Sequence, residues 1–157
     1  LAAPYYHSRL DGGEGDMLIG KALWAYKHKK AHMTCELSPY SCMPNTMSIG
    51  AMAAVLGKYP DLLYAPLEIK GDAEVHALSR CQMILTEAKK QAQREYEEAL
   101  EQTGLSEERA RELLDASPET RRATFRLPHY GKAGTAANMV MHLAREQARG
   151  GKAGSLR

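Results

Sequence analysis

The chain has 157 residues, of which 44% are hydrophobic and 25% charged, and its formal net charge is +2. This length suits one domain with a modest core, and the charge is too small to indicate a nucleic-acid or membrane partner by itself. No apolar run approaches the roughly 18 residues that a membrane helix requires. Residues 1–16 also lack the basic start and apolar core of a signal peptide, so we expect a cytoplasmic protein.

The chain begins with Leu1 where an initiator Met would be expected, which suggests a cut product or an excerpt. We therefore expect a piece from the C-terminal end of a larger protein, and not a complete enzyme. The three cysteines are an odd number in a chain without a secretory signal. This count argues against a disulfide scaffold and favours free thiols or metal ligands.

The first part of the chain alternates helical and strand-like patterns. After a loop rich in Gly, Pro and Tyr, whose sharpest turn signal is at residues 11–15, the sequence predicts a helix capped by Asp16, a strand, a Pro-containing loop, a second helix and a second strand. The first helix covers residues 16–30, the first strand 31–37 and the loop 38–44. The second helix covers residues 45–59 and the second strand 62–69. Two strands joined by a helix predict parallel pairing with a right-handed crossover.

A long helix is predicted over residues 73–102, with an apolar first half suited to packing on the sheet and a charged second half directed to solvent or a partner. A capping-type start at Ser106 predicts a short helix to Leu114. The fold class is thus α/β, a Rossmann-like βαβ lobe with a short parallel sheet, followed by a long helix and a helical C-terminal extension. The compact α/β core ends near residue 90, and the predicted ranges are a lobe at 1–104, an extension at 105–149 with a last helix from residue 135, and a disordered tail at 150–157.

The segment most suggestive of chemistry is the loop that carries Cys42 between Pro39 and Pro44. It runs from the carboxyl end of a strand to the amino end of a helix, which is where ligands bind in open α/β folds. The helix N-terminus favours a thiolate or an anionic cluster there. One cysteine cannot hold a metal or a cluster, so a free, half-buried thiol is an equally good interpretation.

The other titratable residues give weaker signals. Cys35 and Cys81 are predicted to be packed core thiols, and the histidines form no metal-ligand pair. Glu14, Glu36 and Glu68 have no evident partner in the sequence. Two basic clusters are more typical of a solvated face than of a polyanion site; they are Lys27, Lys29 and Lys30, and Arg121, Arg122 and Arg126.

Several short motifs occur in an order that resembles the C-terminal region of the large acyl-CoA dehydratase activase-related proteins, the BadF-type family linked to 2-hydroxyacyl-CoA dehydratases. The resemblance covers about residues 5–98 and is most specific at the Cys-Met-Pro-x-Thr element, where Asn45 stands in place of the usual Gly, as in one subgroup. The motifs are Gly13-Glu14-Gly15, Gly20-Lys21, Pro39-Tyr40-Ser41-Cys42-Met43-Pro44-Asn45-Thr46, Gly71-Asp72-Ala73-Glu74 and Arg80.

In that family an ATP-hydrolysing module drives a low-potential electron to an iron–sulfur centre. The resemblance implies that this chain is the last Rossmann-like lobe of a dehydratase-type module. Cys42 would then be one ligand of a 4Fe-4S cluster, with the remaining ligands and the ATP site outside this chain. The implied partners are upstream modules of the parent protein or a dehydratase or activase subunit, with a homodimer as a further arrangement and no nucleic acid or membrane.

Two other hypotheses remain open. The lobe could be a non-catalytic interaction module that docks a partner through the charged half of the long helix. A weaker hypothesis places an acyl-CoA ester pocket at the Cys42 junction, with Lys21 or Arg80 pairing a phosphate or carboxylate. No residue of this chain is predicted to be catalytic.

Overall fold

The computed structural model describes residues 1–7, 9–10, 13–71 and 74–154 of the chain. Over these ranges the chain forms five helices and two strands. They are α1 (Gly15–Lys27), β1 (Met33–Pro39), α2 (Met43–Lys58), β2 (Leu63–Ile69), α3 (Glu74–Thr103), α4 (Glu107–Asp115) and α5 (Thr135–Gly154). Of the segments singled out in the sequence, Asp11, Gly12, Asp72 and Ala73 lie outside the described residues. No helix in the described part combines the length and apolar character needed to cross a membrane.

The chain divides into two compact units between Lys90 and Gln91. The sequence predicted that the compact core ends near residue 90, which is where this division falls. The predicted boundary of the lobe, at residue 104, lies further along the chain. The physical reason is that the second half of α3 packs with α4 and α5. Ala99 of α3 is fully buried in that cluster, whereas charged residues of this half such as Arg94 and Glu97 are exposed, so only its charged side projects into solvent as predicted.

In the first unit, β1 and β2 pair in parallel, as predicted, with Met33 opposite Leu63 and Pro39 opposite Ile69. A core of apolar side chains lies among the N-terminal segment, α1, α2 and the start of β2. Its buried members are Tyr6, Ile19, Ala22, Leu23, Met52, Val55, Leu62 and Tyr64. The side of the sheet that carries Glu36 and Tyr64 faces α2, and we call it the inner face.

The ends of α1 differ from the prediction. Glu14, and not Asp16, is the N-cap residue, and its side chain makes no capping hydrogen bond. Asp16 instead lies in the first turn, where a negative charge suits the positive end of the helix dipole. The helix ends at Lys27 because Lys29 adopts a left-handed conformation with φ of 50°.

The second unit is built from small residues that let its helices approach closely. Its buried cluster consists of Ala99, Ala110, Ala137, Val140 and Leu143. The predicted cap is present, because the Ser106 side chain accepts a hydrogen bond from the Arg109 backbone N–H at 3.1 Å. The last helix extends beyond its predicted end at residue 149, to Gly154.

Candidate functional site at the Cys42 loop

Cys42 is the N-cap residue of α2, directly after the tight turn that follows β1. Its backbone N–H donates to the Pro39 carbonyl at 3.2 Å, and its carbonyl accepts from both the backbone N–H and the hydroxyl of Thr46 at 2.9 Å. The thiol itself makes no capping hydrogen bond and is partly exposed. The backbone of Cys42 is therefore fixed, while its sulfur stays available at the start of a 16-residue helix.

The turn before Cys42 is tied to the end of β2. The Ser41 backbone has a positive φ of 57°, which makes the sharp reversal between strand and helix. Its N–H donates to the Glu68 carboxylate at 3.2 Å, and the Tyr40 N–H donates to the Ile69 carbonyl at 3.2 Å. The Lys70 ammonium lies 4.8 Å from the centre of the Tyr40 ring. These contacts join the Cys42 loop to the carboxyl ends of both strands.

Gly13 packs against the first turn of α2. Its φ is +89°, and a Cβ atom at this position would lie only 2.5 Å from Cγ of Pro44. Glycine is required here on both counts, since an L side chain disfavours this backbone conformation and would collide with the proline. The structure thus brings together the Gly13-Glu14-Gly15 motif and the Cys-Met-Pro element, which lie far apart in the sequence.

A buried carboxylate lies beneath the first turns of α2. Glu36 is only 5% exposed. One of its oxygens accepts from Asn45 Nδ2 at 3.0 Å and from Ser48 Oγ at 2.6 Å, and the other accepts from the Tyr64 hydroxyl. Burial, and then the hydrogen bond to Glu36, raise the pKa of Tyr64 far above its usual range, so this phenol stays protonated as a donor.

No partner for Glu36 was evident in the sequence, and the structure buries this carboxylate among three donors. The spacing of Asn45 and Ser48 could have indicated it, because these polar residues lie one helical turn apart in a helix that is mostly apolar and rich in small residues. Such a pair on a buried helix face requires a polar partner across the interface. Because Asn45 lies three residues after Cys42, this network fixes the helix turn that carries the thiol.

Cys35 and Cys81 are not the core thiols that the sequence predicted. Cys35 is exposed on the sheet face opposite Glu36, which we call the outer face, and Cys81 is partly exposed on α3. The strand alternates, so Cys35 points away from the core that buries its neighbour Glu36. The alternating pattern of a strand does not by itself say which face of the strand is buried. In β1 the buried face is the polar one, which carries Glu36 and Ser38.

The two cationic side chains proposed for an anionic substrate are not brought together. Arg80 lines a cavity of about 290 Å³ with Thr46, Pro39 and Glu68, next to the Cys42 loop. Lys21 instead lines a separate groove with Trp24 on α1. Only Arg80 therefore lies near the candidate site, and Glu68 shares its cavity.

The basic clusters remain surface features. Lys27 lies 5.5 Å from the centre of the Tyr59 ring, and Lys29 lies 5.1 Å from that of Tyr26. The neighbouring Lys27 ammonium, and then the Tyr5 hydroxyl, lower the pKa of Tyr59. These lysines pack on aromatic rings at the helix end, which is typical of a solvated face.

The donor set at Cys42 does not by itself fit an iron–sulfur cluster. Within the described ranges, no group of three or more His, Cys, Asp or Glu side chains could hold a metal ion. A 4Fe-4S cluster takes four thiolates, and this loop supplies one. Any cluster at this position would require ligands from outside this chain.

No protein-family model matches this chain, and no curated protein or solved structure matches it either.

Proposed function

We propose that this chain is a cytoplasmic lobe of an ATP-driven, iron–sulfur electron-transfer system related to 2-hydroxyacyl-CoA dehydratase activation, to which it contributes Cys42 as one cluster ligand. The observation that carries the proposal is the position of Cys42 at the N-cap of α2, with a fixed backbone and an uncommitted thiol. A parallel sheet places ligands at the carboxyl ends of its strands. A helix N-terminus adds oriented N–H groups that suit the negative charge of a thiolate-ligated cluster.

The inverted burial of β1 supports assignment to a larger assembly. Leu37, on the outer face, is 65% exposed, whereas Glu36 and Ser38 on the inner face are buried. Parallel sheets in α/β proteins are almost always covered on both faces. An apolar strand face left open in this way is typical of a surface that another module covers.

The remaining ligands and the ATP site belong, in this proposal, to the parent protein or to a dehydratase or activase subunit. A bound cluster would accept and release single electrons at low potential. The residues of this chain would hold one corner of it. Glu36 and Asn45 would fix the orientation of the first turn of α2, and Gly13 would let the N-terminal loop close over Pro44.

A second candidate function is a non-catalytic interaction lobe. It is favoured by the apolar side chains that the first half of α3 leaves in solvent. Val75 is 78% exposed and Met83 is 66% exposed, and Leu78 and Leu85 are also exposed. A partner would then dock on this half of the helix, since part of the charged half packs within the second unit. A homodimer through the same surface is one form of this hypothesis.

An acyl-CoA pocket is the weakest candidate, since Lys21 and Arg80 line different grooves. Arg80 alone would pair with a phosphate or carboxylate beside the Cys42 loop. If it does, acyl-CoA should raise the melting temperature of the protein, and an Arg80→Gln variant should lose that shift. An equal shift in both proteins would exclude this role for Arg80.

Electron paramagnetic resonance separates the first two functions. The parent protein, made anaerobically and reduced with dithionite, should show a cluster signal that disappears or changes shape in a Cys42→Ser variant. The matched control is Cys81→Ser, which should leave the signal unchanged. A docking lobe would give identical spectra for all three proteins.

A further inference from the structure

The outer face of the sheet carries a cysteine that the proposed function does not use. Alternation along β1 places Cys35, Leu37 and Pro39 on this face, all of them exposed. Cys35 is paired in register with Ala65 of β2, and Leu37 with Leu67. The Cys35 thiol therefore lies beside the part of the sheet that the start of α3 approaches.

A second cysteine reaches the same face from α3. Ala77, Leu78 and Cys81 follow the helical repeat and line a groove of about 330 Å³ with Leu67 and Ile69 of β2. Leu67 is the pairing partner of Leu37, which is two residues from Cys35 on the same face. Sheet register and helix periodicity thus place Cys81 over the outer face, near enough to Cys35 for the two thiols to interact.

Neither sulfur has another covalent role, since both cysteines are free thiols. The described residues contain no third ligand near them that would make a metal site. Partial burial, and then the neighbouring Cys81 thiol, raise the pKa of Cys35. Two adjacent thiols on a partly open surface are the arrangement that oxidants convert to a disulfide.

We propose that Cys35 and Cys81 form a redox-modifiable dithiol that closes to an intramolecular disulfide when the protein meets a peroxide. One sulfur, as its thiolate, attacks a peroxide oxygen; the O–O bond breaks, and a sulfenic acid and hydroxide form. The second thiol attacks the sulfenyl sulfur, forms the S–S bond and releases water. In total the two thiols lose two protons and two electrons, and one hydrogen peroxide becomes two water molecules.

The disulfide would link the middle of β1 to the first half of α3 across the outer face. It would fix a helix segment whose Leu78 and Val75 are otherwise exposed. Cys42 takes no part, because it lies at the N-cap of α2 and not on this face. A thiol-based reductant would reopen the pair, so the modification is reversible.

The test uses the full chain, reduced and then treated with hydrogen peroxide at a small molar excess. The protein is denatured, alkylated with iodoacetamide and weighed by mass spectrometry, before and after dithiothreitol. The expected product carries one alkyl group instead of three and lacks two hydrogens, and digestion should give one peptide that joins Cys35 to Cys81. Dithiothreitol should restore three alkylated cysteines.

Single variants make the assignment specific. Cys42→Ser should form the disulfide as readily as the original chain, whereas Cys35→Ser and Cys81→Ser should not form it and should gain oxygen on the remaining thiol. Circular dichroism checks that each variant is folded. The proposal is overturned if peroxide leaves three alkylatable thiols, oxidises them independently, or joins Cys42 to another cysteine. The peptide that joins Cys35 to Cys81 is sought in the original chain, so the proposal can be tested even if a variant fails to fold.

Discussion

Asn45 donates a hydrogen bond to the buried Glu36 carboxylate at 3.0 Å, and this bond ties the first turn of α2 to the middle of β1. The same turn carries Cys42 at its start. The orientation of the candidate ligand therefore depends on a polar contact in the interior of the first unit.

Replacing Glu36 by Gln should destabilise the first unit by about 1–3 kcal/mol. A carboxylate accepts from all three neighbours, Asn45, Ser48 and Tyr64, whereas an amide must direct its own N–H₂ at one of these donors. Urea unfolding followed by circular dichroism measures the loss. The control is Glu68→Gln on the adjacent strand, where the residue is exposed and the change should stay within about 0.5 kcal/mol. Equal effects of the two substitutions would contradict the network.

Stability should fall at high pH because of Tyr64. Its pKa is raised in the folded state, so its contribution is fully present below the unfolded pKa of about 10 and is lost as the pH rises towards the folded value. In that range the unfolded chain releases the phenol proton and the folded chain keeps it. The free energy of unfolding should therefore drop by about 1.4 kcal/mol per pH unit beyond the change due to other groups. A Tyr64→Phe variant should lack this extra slope, and parallel curves for the two proteins would show that Tyr64 ionises equally in both states.

Gly13→Ala should lower stability and disturb the Cys42 loop. The backbone at this position has a positive φ, which costs a residue with a Cβ atom about 1–2 kcal/mol, and the added Cβ would also collide with Pro44. Gly50→Ala is the matched control, because Gly50 lies within α2 with nothing within 4 Å of the new atom. It should stabilise the helix by about 0.5–1 kcal/mol. Thermal melts that shift in the same direction for both variants would be inconsistent with this packing.

Glu95→Ala should loosen the start of α5. The Glu95 carboxylate accepts from the backbone N–H groups of Ala133 at 2.9 Å and Gly134 at 2.7 Å. Losing two charge-assisted bonds should cost about 1–3 kcal/mol, seen as faster amide hydrogen exchange at these two residues. Glu98→Ala on the same helix removes only a contact of 3.8 Å to Lys132 and should change little. Exchange rates at residues 133 and 134 that stay unchanged in Glu95→Ala would refute the assignment.

The elements that follow from local chemistry were the ones that the sequence predicted well. Alternating helix and strand patterns predicted the parallel pairing of β1 and β2, and the Ser106 cap followed from its position before two glutamates. Cys42 also lies at the strand-to-helix junction where the prolines indicated it, although the strand extends to Pro39 and the helix begins earlier, at Met43.

Contacts between distant segments were not predictable in this way. The pattern of β1 is apolar at Cys35 and Leu37 and polar at Glu36 and Ser38, and the rule that apolar residues are buried would orient the strand the wrong way round. The polar face is buried because Asn45, Ser48 and Tyr64 satisfy Glu36 there. The approach of Cys81 to Cys35 depends on where α3 crosses the sheet, which the periodicity of the helix does not specify.

The most direct test of the proposed function is the iron and acid-labile sulfide content of the anaerobically purified parent protein, beside its Cys42→Ser and Cys81→Ser variants. The proposal predicts that the original protein and Cys81→Ser contain the same amount of iron and the same amount of sulfide. It predicts a clear loss of both in Cys42→Ser. Equal iron in all three proteins, or none in any of them, would contradict the assignment of Cys42 as a cluster ligand.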